Sequence, residues 1–344
     1  MSTNSPEIVE VHQYSEFVQI AALVLGIPIC ILSFAGNLLT IITVIKTKSL
    51  QTGANIFIVG LSISDMIYGT FLLPIIAYNH YNNGWPFGDG FCAVFGFFVF
   101  LFVMESINNL VGIAFSRYLK ILHPKIFDQI FQGNKRTICL LLVFWLLPLI
   151  TLTPAILLQK FGYEPKTLSC TFMREDNDSF GLMLLSLFLI PLSFITFCYL
   201  RILCKVVSNH KRIERVTTRT SGQKRIREDY HYTRTMVTIF IVFLLAYTPY
   251  MLNSFINTEG ANLTLCFLCS VPVWLSNCIN PFVYAASNRQ FRLAFWAILT
   301  RRKTLFEPSD IEDSPGSNRL SMKTLSNNNM NTVVMQMPTT STHC

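Results

Sequence analysis

The chain has 344 residues, of which 51% are hydrophobic and only 13% are charged. Soluble globular proteins average about 25% charged residues, so this composition excludes an ordinary soluble domain and indicates a membrane protein. The net charge of +8 comes from Lys and Arg that flank apolar runs, which argues against nucleic acid as a partner.

Seven apolar runs follow the polar segment 1–16, and each has the roughly 20 residues that a membrane-spanning helix needs. The runs are Phe17–Val44, Ile56–Tyr78, Phe91–Phe115, Thr137–Leu158, Phe180–Cys204, Met236–Ile256 and Leu263–Ala286. Because they are apolar on every face, they favour helices over the alternating strands of a membrane barrel. We predict an all-α, seven-transmembrane helix bundle over residues 17–286.

Lys and Arg are concentrated in the connections after the first, third, fifth and seventh runs. The opposite side offers only Lys160, Lys166 and Arg174. Positive charge accumulates in cytoplasmic loops, so the sequence predicts a multi-pass plasma-membrane protein with an extracellular N-terminus at 1–16.

The third run carries a cysteine at one end and an arginine at the other. The 25 residues from Cys92 to Arg117 correspond to about 38 Å of helix, enough to cross the bilayer. Cys92 and Cys170 are the cysteines that clearly face the oxidising outside, and we expect a disulfide between them to tether the long loop after the fourth run.

Polar residues of four runs converge at one depth near the middle of the membrane. An intramembrane carboxylate is costly, so Asp65 with its oxygen-bearing neighbours indicates a site for Na⁺ or a proton; simple hydrogen bonding is the alternative. The predicted site is Asn37, Asp65, Ser106, Ser276 and Asn277. We expect a second acid, Glu105, to serve packing and to bond Asn108.

At the basic side, we predict that Asp229 pairs with Arg117 and holds the sixth and third helices together. Residues 287–299 form an amphipathic surface helix, in which Phe291, Phe295 and Trp296 are expected to face lipid. The tail 300–344 is predicted to be disordered.

Every run carries a characteristic residue or motif: Gly36-Asn37, Leu61–Asp65, Cys92 with Cys170, Arg117-Tyr118, Trp145, Pro191 with Tyr199, Pro249, and Asn280-Pro281 with Tyr284. These residues give the chain a resemblance to the rhodopsin-like (class A) G-protein-coupled receptors, which extends from Phe17 to Leu299. It implies that an outside ligand moves the sixth helix outward and frees Arg117 for a heterotrimeric G protein. The implied coupling residues are Ser116, Arg117, Tyr118, Tyr199, Asp229, Asn280, Pro281 and Tyr284.

Within this family the chain looks most like the melatonin receptors and related invertebrate orphan receptors. Asn83-Gly84-Trp85 and Ser106–Asn109 carry this likeness, which implies an inhibitory G protein. Leu187 stands where melatonin receptors place a histidine, which argues against melatonin itself as the ligand.

Several positions depart from the family's pattern. Ser116 stands where the family usually has an acid before the arginine, so Arg117 lacks that local partner and depends more on Asp229. This departure favours higher basal signalling. Tyr247 replaces the usual tryptophan of the sixth helix, and Val99 replaces the aspartate of amine receptors. Trp274 replaces the retinal-binding lysine of opsins, so we expect no retinal and no cofactor beyond Na⁺.

The implied ligand pocket has an apolar and aromatic wall, which suits a neutral or lipophilic small molecule. Its residues are Val99, Phe100, Val103, Met183, Leu187, Tyr247, Tyr250, Met251, Ser254, Ser270 and Trp274. We therefore predict a receptor without enzymatic activity, whose Ser- and Thr-rich tail meets receptor kinases and arrestin. The alternatives are a constitutively active orphan receptor and, from another class, a proton or ion transporter that uses Asp65 and Glu105.

Overall fold

A computed structural model of the chain describes residues 13–131, 134–164, 167–173, 179–213, 221–256, 262–300, 303–304, 323–327 and 330–334. In 207–213, in 221–231, in the strands after residue 300 and at a few other positions, it describes the backbone alone.

Within the described residues, seven helices are long and apolar enough to cross a membrane, which confirms the predicted seven-helix bundle. The first to seventh helices are Glu16–Lys46, Ile56–Tyr81, Asp89–Leu122, Asn134–Leu157, Ser179–Ile213, Ser221–Ile256 and Leu263–Ser287. The second contains a π-helical stretch at Tyr68–Leu72. Short helices lie at Lys48–Leu50, Gly53–Asn55 and Pro124–Phe131.

The third helix lies at the centre of the bundle and contacts the second, fourth, fifth and sixth helices. Its approach to the second helix depends on a glycine. A Cβ atom at Gly112 would lie 2.3 Å from a ring carbon of Phe57, which is itself fully buried. Only a residue without a side chain leaves room for that ring.

A β-hairpin covers the end of the bundle that carries Cys92, which we call the disulfide end. Strands β1 (Phe161–Glu164) and β2 (Ser169–Phe172) pair antiparallel, with Tyr163 opposite Cys170. Cys170 forms the expected disulfide with Cys92, with 5.2 Å between the two Cα atoms. The disulfide is confirmed, whereas the hairpin was not predicted from the sequence.

The opposite end, which we call the Arg117 end, carries a short helix at Arg289–Leu299 after the seventh helix, as predicted. Its expected orientation is wrong for two aromatic residues. Phe291 is fully buried and Phe295 is 7% exposed, so both face the bundle, whereas Trp296 is exposed. The reason is that the ring of Phe291 stacks on Tyr284 of the seventh helix, with 5.0 Å between ring centroids.

The described part of the tail contains three short strands where its composition predicted none. They are β3 (Lys303–Thr304), β4 (Lys323–Asn327) and β5 (Met330–Val334). Strand β5 pairs parallel with β3 and antiparallel with β4. The other tail residues after Thr300, and with them most of the serines and threonines expected to be modified, lie outside the described residues.

The contact between Gly112 and Phe57 yields a test of the packing. We expect Gly112→Ala to lower the melting temperature of the purified protein, because overpacking of a tight contact typically costs about 1–3 kcal/mol. Gly90→Ala is the matched control in the third helix, since nothing lies within 4 Å of the position that its Cβ atom would take. Equal melting temperatures for the two variants would contradict the packing argument.

Candidate functional site

Asp65 lies at the centre of a buried polar cluster and is 3% exposed. Its two carboxylate oxygens accept hydrogen bonds from different helices. Ser106 Oγ donates to Oδ1 over 2.9 Å, and Asn280 Nδ2 donates to Oδ2 over 2.7 Å. The hydroxyl of Ser64 lies 3.2 Å from that of Ser106. The carboxylate therefore joins the second, third and seventh helices.

The other residues of the predicted ion site lie near this cluster, but their side chains bond main-chain carbonyls. Asn37 Nδ2 donates to the carbonyl oxygen of Asn277 over 2.8 Å, and so ties the first helix to the seventh. The side chains of Ser276 and Asn277 both donate to the carbonyl of Val273 in their own helix. Ser276 nevertheless lines a small cavity with Asp65, Ser106 and Asn280.

Glu105 is buried beside the cluster, at 2% exposure, but not as the sequence predicted. The expected bond to Asn108 is wrong, because Asn108 Nδ2 donates instead to the carbonyl of Phe144 over 3.2 Å. Glu105 Oε2 has no hydrogen-bond partner among the described residues. An unpaired polar atom is costly in such a position, and this distinguishes Glu105 from Asp65, both of whose carboxylate oxygens accept hydrogen bonds.

Arg117 is 4% exposed and is held by two neutral side chains. Its Nη2 donates to Asn55 Oδ1 over 3.3 Å, and its Cζ lies 3.6 Å from the centroid of the Tyr232 ring. The hydroxyl of Tyr232 donates to the same Asn55 oxygen. A cation over an aromatic face is attracted by about 0.5–2 kcal/mol. These three residues, which we call the Arg117 clamp, connect the third and sixth helices to the short helix Gly53–Asn55 that precedes the second.

The expected pairing of Arg117 with Asp229 stays a prediction. The side chain of Asp229 lies outside the described residues, although its backbone belongs to the sixth helix, three residues before Tyr232. Ser116 Oγ donates to the carbonyl of Ile113 over 2.8 Å. The serine therefore bonds its own helix and does not replace the missing acid.

The remaining coupling residues lie partly towards the Arg117 end and partly beside Asp65. Tyr118 lies against His123 and Phe197, Tyr199 packs on Phe240, and the fully buried Tyr284 stacks on Phe291. Pro281 packs against Gly36 of the first helix. Asn280, by contrast, belongs with Asp65 rather than with Arg117, because its side chain donates to that carboxylate.

Two aromatic residues of the predicted ligand pocket, Tyr247 and Trp274, are buried among their neighbours. Tyr247 is 3% exposed and stacks on Phe243 with 4.2 Å between ring centroids. Trp274 is 1% exposed. Ser254 and Ser270 donate to carbonyls of their own helices. The other lining residues are partly buried, namely Val99, Phe100, Val103, Met183, Leu187, Tyr250 and Met251. The hydrogen atoms of the two serine hydroxyls are thus used within the bundle, and the rest of the wall is aromatic and aliphatic apart from the tyrosine hydroxyls.

Sequence reasoning missed four residues of these clusters: Ser33, Asn55, Ser64 and Tyr232. Ser33 Oγ contacts the carbonyl oxygens of Asp65 and Asn277, at 3.0 and 3.1 Å. The position of Ser33, one helical turn before Asn37, and that of Ser64, next to Asp65, could have indicated both residues. No comparable signal marked Asn55 and Tyr232, because they are brought to Arg117 by the packing of separate helices.

A seven-helix bundle with a buried carboxylate at mid-depth, a buried arginine at one end and a disulfide at the other has the architecture of a membrane receptor. Residues 36–284 match the family described as 7 transmembrane receptor (rhodopsin family). The chain belongs to this family. Family membership confirms the predicted receptor class, and with it a protein that is not an enzyme and that crosses the plasma membrane several times.

Similar proteins include melatonin receptors and an insect protein. The chain is 31% identical to melatonin receptor type 1C of Xenopus laevis over 275 residues, which are 77% of this chain and 64% of that protein. It is 28% identical to melatonin receptor type 1A of Mus musculus, over 83% of this chain and 82% of that protein. It is 30% identical to protein trapped in endoderm-1 of Drosophila melanogaster, over 84% of this chain and 80% of that protein.

Proposed function

We propose that this receptor transmits an extracellular small-molecule signal to a heterotrimeric G protein. The observation that carries the proposal is the Arg117 clamp, in which a buried arginine of the third helix binds Tyr232 of the sixth. An outward movement of the sixth helix would separate the ring from the guanidinium and expose Arg117 to a partner. Asp229, three residues before Tyr232, is proposed to contribute to the same closed state.

The proposed orientation follows from the distribution of positive charge. The Arg117 end, which carries Lys and Arg after the odd-numbered helices, faces the cytoplasm, and the disulfide end faces outside with the N-terminus. An agonist that binds the closed and open states with different affinity would shift the population between them.

The ligand is proposed to be neutral and lipophilic. The pocket wall offers aromatic and aliphatic side chains, and its serine hydroxyls are bonded to main-chain carbonyls. The similar vertebrate proteins are named as melatonin receptors. Leu187 cannot hydrogen-bond as a histidine would, so we propose a ligand other than melatonin itself.

The proposed partners follow the same family resemblance. Coupling to an inhibitory G protein is proposed because of the likeness to melatonin receptors. The Ser- and Thr-rich tail is proposed as the region that receptor kinases modify and arrestin binds. The transporter alternative has no support from the family match.

Na⁺ is proposed as an allosteric ion beside Asp65. The side chains around the small cavity supply a carboxylate and hydroxyl oxygens, from Asp65, Ser106 and Ser276, which are the donors that a hard cation prefers. Asn37 and Asn277 would support the site from outside it, because their amides bond main-chain carbonyls.

The coupling proposal is tested with Arg117→Ala in a G-protein activation screen of neutral lipids and indoles. We expect an agonist found with the wild type to give no response in this variant at equal surface expression, because the partner loses its contact. Arg136→Ala is the control, since Arg136 is an exposed arginine at the same end that bonds the carbonyl of Gln129. A response that survives in Arg117→Ala would reject the mechanism.

The Arg117 clamp predicts a graded effect on ligand-free signalling. Tyr232→Leu removes both the aromatic face and the hydroxyl, and the loss of about 1 kcal/mol should raise basal G-protein turnover about fivefold. Tyr232→Phe keeps the ring and should raise turnover less. Asp229→Ala, measured in parallel, reports the contribution of the acid. If Tyr232→Leu signals like the wild type at matched expression, the clamp does not hold the closed state.

The proposed ion site predicts that sodium stabilises the receptor. The melting temperature of the purified protein should be higher in NaCl than in choline chloride of equal ionic strength, and Asp65→Asn should abolish the difference. Glu105→Gln is the matched control, because it replaces another buried acid, whose Oε2 has no hydrogen-bond partner among the described residues. A sodium effect retained in Asp65→Asn, or lost in both variants, would contradict the assignment.

A further inference from the structure

Tyr14, two residues before the first helix, is buried at the disulfide end and only 3% exposed. Its ring stacks on that of His80, with 4.8 Å between centroids and 26° between planes. His80 in turn meets Trp274 edge-on at 5.5 Å and Phe267 at 5.6 Å. The Tyr14 side chain therefore closes an aromatic cluster that includes a residue of the predicted ligand pocket.

The polar atoms of Tyr14 are also satisfied. Its hydroxyl donates to the carbonyl oxygen of Thr167 over 3.0 Å, and its backbone N–H donates to Asn83 Oδ1 over 2.6 Å. Asn79 Nδ2 donates to the carbonyl of Leu168 over 2.6 Å and so fixes the hairpin turn that supplies the acceptor. Burial raises the pKa of the Tyr14 phenol, so the group that donates to Thr167 is neutral.

The orientation of the His80 ring is fixed by a hydrogen bond within its own helix. Its Nδ1 lies 2.8 Å from the carbonyl oxygen of Ile76, which can only accept, so Nδ1 carries the proton. A fixed imidazole face and a carbonyl acceptor recognise an aromatic ring that bears a hydroxyl donor, and the rings of Phe267 and Trp274 pack against the imidazole. None of these groups is a carboxylate, an ammonium or a guanidinium.

We propose that His80, Phe267, Trp274 and the carbonyl of Thr167 form a binding seat for a neutral phenol or a similar hydroxyl-bearing aromatic group, and that Tyr14 is its built-in occupant. A ligand would reach Trp274 by displacing the Tyr14 side chain. This displacement rests on the proposed receptor function, whereas the binding of a phenol to the seat does not.

The seat is tested by chemical complementation of the purified full-length protein. Tyr14→Ala should melt at a lower temperature than the wild type, and p-cresol, which reproduces the tyrosine side chain, should restore a few degrees in a saturable manner. Toluene lacks the hydroxyl donor and should restore less. Tyr81→Ala is the matched control, since Tyr81 is a half-exposed tyrosine at the same end, and p-cresol should not raise its melting temperature.

Two further variants keep the test decisive. Tyr14→Phe leaves the seat occupied, so p-cresol should shift it no more than the wild type, whereas Tyr14→Ala with His80→Ala should lose the rescue. If Tyr14→Ala is recovered poorly, Tyr14→Leu is used as well. The yield of either variant, expressed with and without p-cresol, then replaces the melting temperature as the measurement. Equal shifts in wild type and Tyr14→Ala, or no rescue of Tyr14→Ala and Tyr14→Leu, would overturn the proposal. The assay contains no G protein, so its failure leaves the proposed coupling intact.

Discussion

The burial of Arg117 is the constraint on which the Arg117 end depends. A guanidinium cannot lose its proton at any accessible pH, so its charge must be compensated inside the bundle. Among the described side chains, the contacts that do so are an amide oxygen of Asn55 and the face of Tyr232, and both are neutral. A neutral clamp holds the cation less strongly than a buried carboxylate would. These two contacts by themselves are therefore expected to stabilise the closed state only weakly, and a pairing with Asp229 would add to them.

In the middle of the bundle, the seventh helix supplies hydrogen-bond partners to polar side chains of the first and second helices. The carbonyl of Asn277 accepts from Asn37, and the side chain of Asn280 donates to Asp65. In hydrocarbon, unsatisfied polar groups cost several kcal/mol, so these bonds fix the first, second, third and seventh helices relative to one another. A movement that opens the Arg117 end costs less free energy if these four helices keep their hydrogen bonds and the sixth helix is displaced.

The sequence was sufficient for those features that follow from local composition and long apolar runs. Seven spans and the convergence of Asp65 with Ser106 follow from counting residues along helices of known rise. The disulfide follows from the two cysteines that the topology places on the oxidising side. The clamp could not be predicted, because Asn55 and Tyr232 meet Arg117 only through the rotation of three separate helices. The same reason explains the error at Phe291, where an amphipathic pattern marks an apolar face but does not show whether lipid or the seventh helix covers it.

Tyr14 lies at the disulfide end of the bundle and Tyr232 at the Arg117 end. The seventh helix runs between these two ends. Trp274 contacts the His80 ring on which Tyr14 stacks, and Asn280, six residues or roughly 9 Å further along, binds Asp65. A ligand that displaced Tyr14 would contact His80 first, and it would act on Trp274 and the seventh helix through that ring. A change of about 1.4 kcal/mol in the free energy between the closed and open states is a tenfold change in their ratio, so a small displacement passed on to the sixth helix would be enough for a response.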